Sequence, residues 1–366
     1  MSHIRSPGVP PPLEDERHLT LRGVERRVLW LATAIIDHAN NKRDADSGPK
    51  VGGHQASSAS IVSIMTTLWF HQLRAQDRVS VKPHASPVLH TINYLLGRLA
   101  PTYLTTLRSF GGLQSYPSRT KDPDPVDYST GSVGIGATAT IWGAISRRYV
   151  EGHFGGAETG RQYALLGDAE LDEGACWEVI LEPSVASLGE LVWIVDLNRQ
   201  SLDRIVPHMS VDRFEAMFEA AGWQTLTVKY GELLQSLFRQ PGGELLQQRI
   251  DEMSNPEFQR LLRCSPGELR QRLPGPQAAE PFTRLLSDID DLTLHRAIRD
   301  LGGHDLQALC AAYAAIDDTR PTVIFAYTVK GYNLASQGHP QNHSALLSEE
   351  QLAELAVRLH ANLTCF

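Results

Sequence analysis

Cysteine is scarce in this 366-residue chain: the four present, at positions 176, 264, 310 and 365, show no short paired spacing. That excludes a zinc knuckle or a disulfide framework and makes a reducing, cytoplasmic compartment the default. Long apolar runs are missing too. The strongest, residues 191–195 and 322–326, are far too short to cross a bilayer, so no membrane span is expected. Positive charge is neither abundant nor clustered; 34 Lys and Arg against 42 Asp and Glu leave a formal charge of −8. No basic stripe is available for a nucleic-acid backbone, so nucleic acid is not expected as a partner. Internal repeats and low-complexity tracts are absent. The Pro-rich, polar residues 1–17 lack the apolar core of a secretory signal, and residues 1–21 are expected to form a flexible arm.

What is present is a chain with 42% hydrophobic residues, enough for a large core and one or two domains. Its periodicities predict an α/β fold, a mostly parallel sheet covered by helices on both faces. Helical spacing marks residues 23–41, 57–73 and 86–99, the last opened by Ser86 followed by proline. The glycines of 131–136, Gly134 among them, lead into an apolar helix through about residue 150 and would let a helix start approach a ligand closely. Strands are predicted at 162–166, 191–197, 224–229 and 322–326, with helices at 173–188, 210–221 and 305–317. Residues 232–300 are helical in pattern, broken at Gly242, Pro256, Pro266 and 274–282, and read as an elaboration on the sheet. The main domain is thus expected over 22–350, with 351–366 as a tail or the end of a helix.

Asp168 and Asn198 stand thirty positions apart, each at the end of an apolar run. A crossover of that length has room for one helix, so two parallel strands would present a carboxylate and a carboxamide oxygen at one carboxyl edge. With a loop carbonyl near Gln200, that set suits a hard divalent ion bridging to phosphate. Both residues are also common in strand-end turns, which is the alternative. Gly167 would permit close backbone approach to a diphosphate, while Glu170, Asp172 and Glu173 are explained well enough by a helix start.

Four histidines stand in small-residue loops: His54 in Gly-Gly-His-Gln, His84 in Lys-Pro-His-Ala, and His339 and His343 in Gly-His-Pro-Gln-Asn-His-Ser. Imidazole suits proton transfer near neutrality, and caps or surface hydrogen bonds are the competing explanation. Lys330, after the last strand, offers a point charge for phosphate, or is a solvated lysine. His304 reads as loop and cap structure.

The chain resembles the diphosphate-binding half of the thiamine-diphosphate-dependent, decarboxylating first component of bacterial homodimeric pyruvate dehydrogenase, in the wider transketolase superfamily. The resemblance rests on Gly167-Asp168 running to Asn198, on Asn198-Arg199-Gln200-Ser201-Leu202-Asp203, and on further matches from Gly53-His54-Gln55 to Thr328-Val329-Lys330-Gly331-Tyr332, collinear over about residues 22–350. It implies a thiamine-diphosphate-binding fold, with Mg2+ on Asp168, Asn198 and the Gln200 carbonyl. His84, Ser86, Gly134, Gly167, Ala169, Glu170, Leu202 and Lys330 would surround the cofactor, and His54, His339 and His343 would face the substrate.

Three positions depart from the family pattern: Ala169 replaces a glycine, Ser118 replaces a histidine, and 129–134 resembles the transketolase form equally well. The likeness covers only the first family domain. It implies a separate subunit carrying the pyrimidine-binding domain and its activating glutamate, expected to join this chain in an α2β2 heterotetramer if the superfamily's two-fold architecture is retained. The expected reaction is decarboxylation of a pyruvate-like 2-oxoacid with acyl transfer. Ketol transfer on a ketose, and a non-catalytic cofactor-binding or regulatory role, are the alternatives. Helices 58–70 and 88–99 are expected to have apolar surface to spare for the interface.

Overall fold

A computed structural model describes residues 16–42, 53–156, 159–201, 204–206, 211–275 and 280–361. Five strands form one parallel sheet: β1 (Arg78–Ser80), β2 (Gln162–Gly167), β3 (Leu191–Leu197), β6 (Gln224–Val228) and β7 (Thr322–Tyr327), in the order β1-β2-β3-β7-β6. A small antiparallel pair, β4 (Gln200–Ser201) and β5 (Arg204–Ile205), follows β3. β1 and this pair are too short to leave a periodic signal, and the sequence reading missed them.

Because side chains alternate along a strand, the central strands feed two cores. Ala164, Leu166, Trp193, Val195, Val323 and Phe325 face α4 (Ile135–Phe154), α5 (Gly174–Ile180) and α6 (Val211–Ala220). On the other face, Tyr163, Leu165, Val192, Ile194, Ile324 and Ala326 pack with α1 (Glu16–Asp37), α2 (Gln55–Thr67), α3 (Ser86–Leu95), α13 (Leu306–Ala314) and α14 (Glu349–Arg358). Covered on both faces, the strands can be continuously apolar, as β3 is from Leu191 to Val195.

The elaboration consists of α7 (Glu232–Phe238), α8 (Gly243–Asp251), α9 (Asn255–Leu261), α10 (Pro266–Arg272), α11 (Glu280–Asp288) and α12 (Asp291–Ala297). Leu246, Phe258, Leu269, Phe282 and Leu294 belong to the same core as Trp193 and Phe325, so these helices extend that layer. Pro256 and Pro266, which interrupt the helical pattern, sit in the first turns of α9 and α10, behind the capping hydroxyls of Ser254 and Ser265.

Several boundaries differ from expectation. α1 starts at Glu16, inside the stretch expected as a flexible arm. α5 ends at Ile180 rather than 188, since Pro183 disfavours helical backbone at the residue before it. α3 ends at Leu95, ahead of Gly97 with φ +72°. Every residue of α2 is buried, as are Ser86–Asn93 of α3, so the helices expected to have surface to spare are consumed inside the chain. Exposed apolar surface lies on α4 instead, at Ile135, Trp142, Tyr149, Val150 and Phe154. Among the described residues no helix is long and apolar enough to cross a membrane.

Candidate cofactor-binding site

Sheet register brings the chemistry together. Gly167 pairs with Asp196 and Leu197 with Tyr327, so Asp168, Asn198 and Thr328 leave three neighbouring strands at nearly one level. Asp168 is buried; its Oδ1 accepts from the Ala169 N–H at 2.8 Å and its Oδ2 from the Arg199 N–H at 2.6 Å. The Asn198 Oδ1 accepts from the Gln200 N–H at 3.1 Å, while its carbonyl accepts from the Gln259 side chain at 3.3 Å. A cavity of about 230 Å³ is lined by Asp168, Asn198, Gln200, Lys330, His84 and His343, with Gly167, Ala169 and Glu170 in its wall.

Burial pushes the Asp168 carboxyl up to about 6, with the Asp196 charge adding to the rise while N–H donors and Lys82 oppose it. A buried carboxylate beside a neutral carboxamide oxygen is a donor set that a divalent cation relieves. A Cβ added at Gly167 would meet nothing within 4 Å, so the backbone there opens onto free space, as approach to a diphosphate requires. Ala169 is not among the described residues with positive φ, so its methyl group brings no backbone strain to this wall. The residues present therefore fit magnesium and a diphosphate.

Two buried charges hold this wall. Asp196, inside apolar β3, is fully buried and ion-paired with Lys82, and it also accepts from Ser60 Oγ at 2.6 Å and from the Thr328 hydroxyl. Burial alone would push its carboxyl up, but Lys82 and the hydroxyl donors win and hold it below the usual range. This hub ties together α2, the segment after β1, β3 and the exit of β7. Glu170 is the second tie: Oε2 accepts from the Gly134 N–H at 2.9 Å and Oε1 from the Gly167 N–H at 3.0 Å. It thus joins the start of α4 to the end of β2, more than the helix-start role its position suggested.

Three of the four loop histidines converge. His54 stacks on His84 with centroids 3.7 Å apart, and His343 lies 4.5 Å from His54 and 5.5 Å from His84. Burial, then the neighbouring His54 and His343, pulls His84 down to about 3, so it is neutral at physiological pH. Lys330 Nζ lies 3.3 Å from His343 Nδ1; since an ammonium only donates, this contact assigns the His343 proton to Nε2. Tyr116, part of a Ser115-Tyr116-Pro117 motif match that carried no assigned role, also lines the cavity, 5.8 Å from His84.

Other expected site residues are placed elsewhere. The imidazole of His339 is exposed and accepts from the Gln341 N–H at 3.1 Å, away from the histidine cluster. Ser86 donates to the Ser115 carbonyl at 2.9 Å, holding the Tyr116 segment rather than lining the cavity. Gly134 contributes through its bond to Glu170, while Gly131 and Val133 form the actual lining. Leu202 lies outside the described residues. His304 is a buried strut: Nε2 accepts from the Val329 N–H at 2.8 Å, Nδ1 lies 3.2 Å from Ser63 Oγ, and its ring stacks on Tyr332 at 3.6 Å.

The family profile described as "Transketolase, thiamine diphosphate binding domain" matches residues 48–239, a span holding Asp168, Asn198, His84 and the glycines around the cavity. This chain belongs to that family. It is 30% identical over 353 residues to the pyruvate dehydrogenase E1 component of Escherichia coli K12, covering 92% of this chain and 38% of that protein. The Pseudomonas aeruginosa pyruvate dehydrogenase E1 component is 31% identical over 330 residues, covering 86% and 36%. The chain thus spans little more than a third of these relatives. Among solved structures, the transketolases of Leishmania mexicana and Campylobacter jejuni superpose with TM-scores of 0.63 and 0.64 at 18% identity, covering 93% and 94% of this chain and 41% and 43% of theirs. These show the thiamine-diphosphate-binding fold.

The transketolase-type Asp168–Asn198 pair was visible as polar residues closing apolar runs. Lys82 and Ser60 were assigned no role in the sequence, and Thr328 and Tyr116 stood only as motif residues, although one acidic residue inside an otherwise apolar strand, Asp196, was a signal that a cation should lie opposite.

Proposed function

We propose that this chain anchors Mg2+ and the diphosphate of thiamine diphosphate in a two-component enzyme that decarboxylates a pyruvate-like 2-oxoacid and transfers the acyl unit. The observation that carries this reading is the convergence of Asp168, Asn198, Gln200, Lys330, His84 and His343 on one cavity at the carboxyl edge of a parallel sheet. Thiamine diphosphate, when bound, supplies the nucleophile and electron sink for cleaving the bond next to a ketone.

The protein's own contribution is binding and positioning. Asp168, the Asn198 carboxamide and the Gln200 carbonyl would hold the metal; Lys330 would face phosphate as a point charge. Neutral His84 serves as a hydrogen-bonding group, not an acid. His343, its Nδ1 occupied by Lys330, offers Nε2–H toward a substrate oxygen, and His54 packs between the two. The activating glutamate and pyrimidine-binding domain come, in this reading, from a separate subunit in an α2β2 assembly. Support comes from the exposed apolar residues of α4, which continue from Val133 at the cavity wall along the helix to Phe154.

Calorimetry tests the anchoring role. Thiamine diphosphate should bind only with Mg2+, and Asp168→Ala should abolish that dependence with the fold retained. Equal affinity with and without metal, or in the variant, would overturn it. Release of CO2 from pyruvate by the assembled complex, and not by this chain alone, tests the reaction.

A further inference from the structure

A second cavity lies behind the metal-binding edge and has no part in the function above. It measures about 600 Å³ and opens between the ends of β6 and β7 and helices α8 and α9. That is room for a small organic ligand. Arg199, Lys229, Tyr230, Phe258 and Tyr327 line it, with Asp212, Asp251 and Glu252 on its walls.

Arg199 is the anomaly. Its guanidinium sits 4.6 Å from the centroid of Phe258 and 5.6 Å from that of Tyr327. Its one side-chain hydrogen bond among the described residues is a long 3.4 Å contact from Nη1 to the Asn255 carboxamide, and its buried Nε has no partner. No described carboxylate lies within ion-pair distance of it. Arg299, another partly buried guanidinium without a carboxylate, is instead satisfied by the carbonyls of His295, Leu262 and Cys264. Lys229, across the cavity, is already paired with Asp251. A half-buried cation whose Nε is fully enclosed and which has no counter-ion is costly, and a fork of free N–H groups over aromatic faces matches an oxyanion.

We infer that this cavity is a binding site for a small organic anion, a carboxylate or phosphate monoester, whose oxyanion is held by the Arg199 guanidinium. Asp212, Asp251 and Glu252 restrict the charge to that end and disfavour polyanions. The site stands back to back with the cofactor cavity. Arg199 has φ +61°, and its own N–H holds Asp168 Oδ2 at 2.6 Å, while Asn198 and Gln200 flank it. An anion that fixes the guanidinium therefore also fixes the backbone carrying the metal-binding groups. This coupling rests on the metal-binding reading of Asp168; anion binding itself does not.

The test uses the full chain without thiamine diphosphate or Mg2+, titrated by calorimetry with benzoate and, separately, phenyl phosphate. Saturable one-to-one binding of at least one probe is expected, and which one binds identifies the head group. Asn255→Asp places a carboxylate beside Nη1 as an internal counter-ion and should weaken the probe by about tenfold or more, the range of one charge-assisted hydrogen bond. Arg199→Gln should do the same, with circular dichroism confirming the fold of both. Failure of both probes to bind, or undiminished binding in folded Asn255→Asp, would overturn the site. With the site established, a changed Mg2+·thiamine diphosphate affinity on adding the probe would support the coupling, and an unchanged affinity would overturn the coupling alone.

Discussion

Replacing Asp196 by asparagine removes a charge while nearly preserving shape. Lys82 is then left 7% exposed with no counter-ion, and the carboxamide still meets the Ser60 and Thr328 hydroxyls. Breaking one side of a buried pair costs about 3–5 kcal/mol. Lys82→Met alone strands the carboxylate, but the two hydroxyl bonds remain, so its cost belongs at the lower end of that range. The double variant Lys82→Met/Asp196→Asn removes both charges of the pair and should recover ~2–3 kcal/mol relative to the summed single costs, a coupling typical of residues in contact. Urea unfolding of the four proteins, monitored at more than one wavelength to check for a single transition, gives the cycle. The coupling should persist in high salt, because screening acts weakly on a buried pair. Additive single and double costs, or a coupling that vanishes with salt, would refute the role of this pair as the hub of the cavity wall.

Asp168→Ala should leave the unfolding midpoint nearly unchanged, since it also removes a destabilised buried carboxyl, while eliminating metal-dependent cofactor binding by calorimetry. His84→Ala should weaken cofactor binding, whereas His343→Ala should lower turnover of the assembled complex with cofactor affinity retained; equal effects of both on both quantities would refute that division. Burial lowers His304 from 6.5 to about 3, so the unfolded state takes up the proton first. Its contribution to stability is complete above pH 6.5 and is lost as pH falls toward 3, by up to ~5 kcal/mol; His304→Gln should flatten that part of the profile, to which His84 also contributes. Trp142→Glu, on the exposed face of α4, should prevent association with the partner subunit in light scattering without changing cofactor-independent stability.

Much of the site was legible because its residues sit where short-range rules apply. Asp168 and Asn198 close apolar runs of β-length, and a parallel crossover between such runs must return them to the same sheet edge. The glycines around the cavity and the loops carrying His54, His84 and His343 likewise announce themselves by composition. His339 shares that composition, yet its loop turns its ring outward onto the Gln341 N–H, and no local signal separates it from His343. Ser86 similarly looks like a site residue and is spent on the Ser115 carbonyl.

Residue order and periodicity by themselves determined the alternation of strands and helices and the carboxyl-edge placement of Asp168 and Asn198; the family was legible only through the resemblance of the collinear motifs. Only the tertiary structure decided which helices were covered and which charges were paired. The apolar surfaces of α2 and α3 are consumed by α1 and α13, leaving α4 exposed, because burial is a property of neighbours distant in sequence. Lys82, just past the end of β1, and Asp196, on β3, come from either side of β2, and nothing local to either names the other. The same holds for Arg199: its backbone belongs to the metal-binding loop, but the emptiness around its guanidinium exists only once α8 and α9 have closed the second cavity.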